Sequence, residues 1–79
     1  NVNMEAGAVI ANHYNERADK EIVSSWNNSA VRTGVVKFGA LVGDNARLGA
    51  NSVLSPGTIL QPGAVVGRLE LIDQLKGKF

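Results

Sequence analysis

The chain of 79 residues is long enough for one small domain, and it has no cysteine, which excludes disulfides and cysteine-ligated metals. Its formal net charge is +1 and no run of five like charges occurs, which argues against a nucleic-acid partner or a membrane surface. The sequence shows neither a long apolar run nor a signal peptide, so we expect a cytoplasmic protein; because Asn1 is not Met, we expect a single domain within a longer chain.

The first predicted elements, in residues 1–11, are units of a six-residue repeat. Met4 takes the aliphatic position, Gly7 the corner, Ala8 the small position after the corner, and Ile10 opens the next unit. The spacing then breaks, because Ile10 and Val36 lie 26 positions apart. Residues 12–29, which are polar and charged, are therefore predicted to be an inserted loop, and residues 30–35 are interpreted as a degenerate unit.

Within residues 30–67 the repeat becomes regular. An aliphatic residue recurs every six positions, at Val36, Val42, Leu48, Leu54, Leu60 and Val66. Four positions later stands a small residue, at Ala40, Ala46, Ser52, Thr58 and Ala64, preceded by one that tolerates positive φ, at Gly39, Asn45, Asn51, Gly57 and Gly63. A period of six with Gly, Pro and Asn in nearly every unit opposes a helix. The sequence therefore predicts an all-β fold of short strands and tight corners, with the aliphatic residues inside.

Residues 68–79 leave the repeat and are predicted to form a C-terminal cap. Leu69, Leu71, Ile72 and Leu75 provide apolar side chains that a strand or short helix would lay over the last coil. Stacks of repeats need such capping segments.

The hexads Val42–Arg47 and Leu48–Val53 resemble the hexapeptide-repeat transferases, whose fold is a left-handed parallel β-helix. That resemblance implies three strands, about eighteen residues, per coil. Residues eighteen apart would then stack on one outer face, Leu41 with Ile59 and Val35 with Val53, while Arg47 stacks with Val65. These apolar outer rows, together with the resemblance, imply a homotrimer.

A narrower resemblance covers residues 3–14, which are similar to the acetyltransferase domain of the bifunctional glucosamine-1-phosphate acetyltransferase/N-acetylglucosamine-1-phosphate uridyltransferase family. It implies that Asn3, Asn12, Tyr14 and Lys20 bind the substrate, with Tyr14 displaced by one position. The chain departs from the family at Glu5, where a glycine is expected, and at Ala50, where a serine is expected near the acyl donor. The family's catalytic histidine falls before Asn1, so the resemblance implies that this chain lacks the general base.

The residues themselves leave several roles open. His13, the only histidine, is a candidate catalytic base or an ordinary exposed loop histidine. Asn3 and Asn12 either hydrogen-bond a sugar or pantetheine or fill tight corners. Lys37, Arg47 and above all Arg68, assigned to the cofactor, either contact the phosphates of coenzyme A or are solvated charges. No metal-ligand spacing occurs, so no metal is expected.

Two functions remain open. In the first, the chain is a CoA-dependent acyltransferase that transfers an acetyl or other acyl group from its acyl-CoA co-substrate to a sugar or sugar nucleotide. In the second, it is a non-catalytic oligomerisation or regulatory domain, such as one attached to a sugar-nucleotidyltransferase. Fold alone does not choose between them.

Overall fold

The computed structural model describes residues 1–75, and these contain ten short β-strands and no helix. The predicted all-β class is therefore confirmed for the described residues. The strands are β1 (Asn3–Met4), β2 (Val9–Ile10), β3 (Val23–Trp26), β4 (Ser29–Arg32), β5 (Ala40–Val42), β6 (Arg47–Leu48), β7 (Val53–Leu54), β8 (Thr58–Leu60), β9 (Val65–Val66) and β10 (Leu71–Ile72).

Eight of these strands form three parallel sheets, and consecutive strands of the repeat belong to different sheets. The sheets have the orders β1-β6-β9, β10-β7-β2 and β5-β8. Arg47 pairs with Val65, Val53 with Leu71 and Leu41 with Ile59, so among β5 to β10 the register between neighbouring strands is eighteen residues. The chain thus passes through all three sheets before it returns to the first.

The predicted core lies between these sheets. Leu48, Leu54, Leu60 and Val66 are buried, and Ala46, Ser52 and Thr58 are buried beside them. Val42 and Ala64, also predicted to be inside, are half-buried and pack against this cluster. The six-residue period predicted the core because each short strand turns one side chain inward and each corner leaves room for only a small one.

Positive φ at the corners is likewise confirmed, with one exception. Asn45, Asn51, Gly57 and Gly63 have φ between +57° and +82°, and Gly7 has +79°. Gly39 does not have a positive φ. Its segment serves another purpose, because the carbonyl groups of Phe38 and Gly39 both accept a hydrogen bond from the Gly57 amide.

The segment between β2 and β5 contains an antiparallel hairpin of β3 and β4. Its turn is Asn27-Asn28, both at positive φ, as a two-residue turn of type I′ requires. The hairpin extends beyond the boundary predicted at residue 29, and residues 29–32 pair with β3 instead of forming a parallel unit. At the base, the Phe38 amide donates to the Asn12 carbonyl at 2.8 Å, which brings the two ends of the segment together.

The hairpin is anchored to the coil on one side. Ile22 is fully buried and Ser24 nearly so, and Ser24 Oγ donates to the Gly57 carbonyl at 2.8 Å. A Cβ at Gly57 would lie 2.7 Å from a methyl group of Ile22, so a larger residue would displace the hairpin. The inserted segment therefore rests on the corner that precedes β8.

Two predictions for the start of the regular repeat are wrong. Val36, predicted to point inward, is 60% exposed and lies outside any strand. Val35 does not stack on Val53; its carbonyl accepts the Ile22 amide, while Val53 pairs with Val9 and Leu71. The physical reason is that residues 33–35 close the base of the hairpin, so the parallel strands resume only at Ala40.

The parallel pairing continues into the segment for which a cap was predicted, because β10 pairs with β7. Beyond β10, the Gln74 side chain lies along β8. Its Oε1 accepts the Ile59 amide at 2.9 Å, and its Nε2 donates to the Ile59 carbonyl at 2.8 Å. Residues 76–79, the end of the predicted cap, lie outside the described residues.

Candidate functional site

A groove lies on the outer face of the sheet β1-β6-β9. Register places Asn3, Arg47 and Val65 side by side across the three strands. Together with Glu5 and Arg68, these residues line an open groove of about 290 Å³. Asn3 and Arg68, assigned from the sequence to substrate and cofactor, therefore lie in one groove.

Glu5 and Arg68 form an ion pair across this groove. Arg68 Nε lies 3.4 Å from Glu5 Oε1, which also accepts the Ala50 amide at 3.0 Å. The hydrogen bond from Arg68 and then that from Ala50 lower the pKa of the Glu5 carboxyl below its ordinary value. The groove thus already holds a carboxylate at a position where donors favour negative charge.

A second cavity adjoins the groove. It has a volume of about 280 Å³ and shares Asn3 and Arg47 with the first, adding Asn1 and Asn45 to the lining. A ligand that extends along this face would therefore meet amide groups on one side of Arg47 and charged groups on the other.

Tyr14 lies elsewhere, where the inserted segment packs on the coil. Its side chain is 8% exposed, and it lines a cavity of about 10 Å³ with Ser55, Gly57 and Asp73 among others. Arg17 stacks over its ring, 3.7 Å from the centroid. Burial raises the pKa of the Tyr14 hydroxyl, and the positive charge of Arg17 opposes this. A cavity of this size holds about one water molecule, so Tyr14 anchors the segment here.

Charged residues at the base of the hairpin form a further cluster. Arg32 donates to Glu21 from Nε at 2.8 Å and to Asp19 Oδ2 at 3.3 Å. The Glu21 amide and then Arg32 lower the pKa of Asp19, and Glu21 also accepts the Gly34 amide. These contacts hold the two hairpin strands in register, and the open cavity beside them, about 400 Å³, is also lined by Arg17.

The other predicted site residues are not brought together. Asn12, His13 and Lys20 are exposed, and none of them lines these four cavities. Tyr14 and Asn3 line different cavities. Within residues 1–75, no group of three or more His, Asp or Glu side chains is placed to hold a metal ion.

Sequence reasoning singled out Arg47 only weakly and did not pair Glu5 with Arg68. The repeat places the Arg47 side chain on the outside of the coil. Its pairing with Asn3 could not be predicted, because the inserted segment lies between the two residues and their separation of 44 positions is not a multiple of six. The cluster of Asp19, Glu21 and Arg32 depends on the antiparallel hairpin, which the polar composition concealed.

Comparison with known proteins gives no guide to the family: no family model matches the chain, and no curated protein is significantly similar to it. In the described part of the chain, no helix is long and apolar enough to cross a membrane.

Proposed function

We propose that the chain is a left-handed parallel β-helix domain of the hexapeptide-repeat transferase type, which acts in the cytoplasm on acyl-CoA and a sugar or sugar nucleotide. The eighteen-residue register of the parallel sheets supports this fold, and the crossover hand in a crystal structure decides it. The observation that carries the functional proposal is the groove in which Asn3 and Arg68 lie together with Arg47.

In this proposal the amino or hydroxyl group of the acceptor attacks the thioester carbonyl carbon. The acceptor gives its proton to a general base, the oxyanion collapses and the C–S bond breaks, so that the acyl group stays on the acceptor. The CoA thiolate leaves and takes the proton back from the base, which gives free CoA thiol. His13 is the candidate base within the chain, but it is exposed outside the groove. A neighbouring subunit, with its own groove beside this His13, would complete the site. The proposed homotrimer itself rests on the apolar outer rows and on the resemblance.

The experiment measures free thiol released from acetyl-CoA in the presence of amino sugars, sugar phosphates and sugar nucleotides. Acceptor-dependent thiol release that His13→Ala abolishes and Lys37→Ala retains would support transfer with His13 as base. Binding of acetyl-CoA without release would favour the non-catalytic alternative. An absence of both binding and release would overturn the acyltransferase proposal.

The alternative, a non-catalytic oligomerisation or regulatory domain, requires only the apolar outer faces and no acyl transfer. Leu41 is 56% exposed and stacks on Ile59, while Val9 and Leu71 are exposed on either side of Val53. Contiguous apolar rows on so small a body are typical of contact surfaces.

Light scattering tests the self-association that both functions assume. We expect the mass of a trimer, and we expect Leu41→Lys to shift it towards the monomer. Val31→Lys is the matched control, since Val31 is 44% exposed on the hairpin, away from these rows. A monomer at micromolar concentration, or equal tolerance of lysine at both positions, would contradict the proposal.

A further inference from the structure

The groove beside β1 contains two arginines whose outer nitrogen atoms are uncommitted. Among the described residues, Arg47 makes no hydrogen bond or ion pair with its side chain, and Arg68 uses only Nε, to Glu5. The Arg68 pair is long, at 3.4 Å, and 75% of the Arg68 side chain is exposed. Exposed pairs of this kind contribute little energy, so a stronger anion can replace the carboxylate.

Glu5 indicates what kind of group fits here. One of its oxygen atoms accepts from both the Ala50 amide and Arg68, so a backbone donor and a guanidinium already converge on a single anionic oxygen. Arg47 lies in the same groove, held in register between Asn3 and Val65. The groove therefore offers two guanidinium groups to an anion, with Val65 providing apolar surface beside them.

We infer that this groove binds a phosphate group between Arg47 and Arg68, and that the Glu5 carboxylate competes with it for Arg68. Guanidinium groups match the oxygen atoms of a phosphate in paired hydrogen bonds, which a lone carboxylate of this chain satisfies only in part. The ligand class is a phosphate monoester or diphosphate whose organic part lies on Asn3 and Val65. This inference rests on the proposed function in so far as that ligand is the sugar phosphate or the coenzyme.

Glu5 gives the site a built-in selectivity. A singly charged carboxylate ligand gains little by displacing another carboxylate from Arg68. A phosphate, with more charge and more acceptor oxygen atoms, gains contacts to both arginines. The groove should therefore prefer phosphate to acetate at the same ionic strength.

The test is titration of the ¹⁵N-labelled protein with inorganic phosphate, with sodium chloride holding ionic strength constant and acetate as the competing anion. We expect saturable shifts at the amides of Arg47, Gly49, Ala50 and Arg68, and weaker binding of acetate. Arg47→Gln should weaken phosphate binding by about tenfold or more, as loss of a charge-assisted contact does. Glu5→Gln, which removes the competing charge, should strengthen it by about threefold.

Lys37→Gln is the matched control, because Lys37, which the sequence left open as a contact to coenzyme A, is exposed and lines none of the four cavities, and the change removes the same charge. It should change the phosphate affinity by less than about twofold, because an exposed charge outside the groove contributes little to binding. Equal losses in Arg47→Gln and Lys37→Gln, weaker binding in Glu5→Gln, or shifts that never saturate would each overturn the inference. Each variant is first shown to keep the wild-type spectrum outside the groove.

This experiment is separate from the assay of acyl transfer. The protein could bind phosphate saturably, in a way that depends on Arg47, and release no thiol from acetyl-CoA. That result would support the phosphate site and refute the acyltransferase activity. Thiol release that is unaffected by Arg47→Gln and by added phosphate, together with no phosphate binding, would refute the site and leave the enzyme.

Discussion

The carboxamide of Gln74 is paired with the main chain of Ile59, accepting from its amide at 2.9 Å and donating to its carbonyl at 2.8 Å. Elsewhere in the sheets, the main-chain amide of an outward-facing residue donates to a carbonyl group of the neighbouring coil. The Arg47 amide donates to the Ala64 carbonyl in this way, and the Val53 amide donates to the Glu70 carbonyl. Gln74 thus takes the place of a peptide group of a further strand on the edge of β8. Edge strands that present unpaired groups invite association, and this side chain covers the edge.

Gln74→Ala is expected to destabilise the fold by about 1–2 kcal/mol, because two partly buried main-chain groups lose their partners. Urea unfolding measures the loss, with Gln61→Ala as the control. Gln61 is exposed, and its side chain makes no hydrogen bond among the described residues. Equal stability of the two variants would show that water replaces the carboxamide without cost.

Ser52→Ala is expected to be neutral or to stabilise by up to about 1 kcal/mol. Ser52 is fully buried, and its Oγ has no hydrogen-bond partner among residues 1–75, so the hydroxyl carries a desolvation cost. Ser24→Ala is the matched variant, since its buried hydroxyl donates to Gly57 and its removal should cost about 1 kcal/mol. Thermal unfolding of both variants reports the difference, and a loss in Ser52→Ala as large as in Ser24→Ala would contradict it.

Gly57→Ala should cost clearly more stability than Gly63→Ala. Both positions have positive φ, +82° and +78°, so alanine strains the backbone by roughly 1–2 kcal/mol at each. The new Cβ would also meet Ile22 at 2.7 Å at Gly57, whereas at Gly63 no neighbouring atom of the described part of the chain lies within 4 Å. Overpacking adds about 1–3 kcal/mol.

Hydrogen exchange locates the effect of this substitution. In Gly57→Ala, faster exchange is expected at the amides of Ile22 and Thr33, which close the base of the hairpin. In Gly63→Ala these amides should exchange as in the wild type. Unchanged exchange in both variants, with equal stabilities, would mean that the hairpin does not rest on Gly57.

The Glu5 carboxyl should titrate below the ordinary glutamate pKa, and Arg68→Gln should move its pKa back towards that value, because the Arg68 hydrogen bond is the largest cause of the shift. Carbon-detected NMR titration measures both. Because the Glu5 pKa is lower in the folded state than in the unfolded state, the ionised carboxyl stabilises the fold. This stabilisation is complete above the ordinary pKa of glutamate and is lost as the pH falls through the pKa of the folded state. An Arg68→Gln protein with an unchanged Glu5 pKa would contradict the ion pair.

The core could be predicted from the sequence because it depends on a local rule applied repeatedly. Leu48 and Leu54 are inside for the same reason, each following a corner residue that takes positive φ. Val36 fits the six-residue spacing, but it does not lie in a strand of the coil, because the chain around it closes the base of the hairpin. Spacing alone does not distinguish the two cases.

The hairpin had one usable signal, the Asn27-Asn28 pair, which is typical of a two-residue hairpin turn. The polar strands around it obscured that signal, and with it the buried Ile22. The groove was even harder to predict from the sequence. Asn3 and Arg47 are neighbours because the inserted segment leaves the coil and returns to it between them. No local pattern in the sequence gives the length of that segment.

The hydrogen bond between Asn12 and Phe38 has a consequence for how such a protein can diversify. Because it joins the two ends of the inserted segment, the coil follows the same path whatever lies between them, and loop-closure entropy grows only slowly with length. A lineage can lengthen, shorten or replace the hairpin at this junction while the interior between the parallel sheets keeps its packing, and the contacts of Ile22 and Ser24 with the corner at Gly57 change. The junction is therefore also the natural place to graft a foreign peptide, with the inner side chains of the eight parallel strands left unaltered.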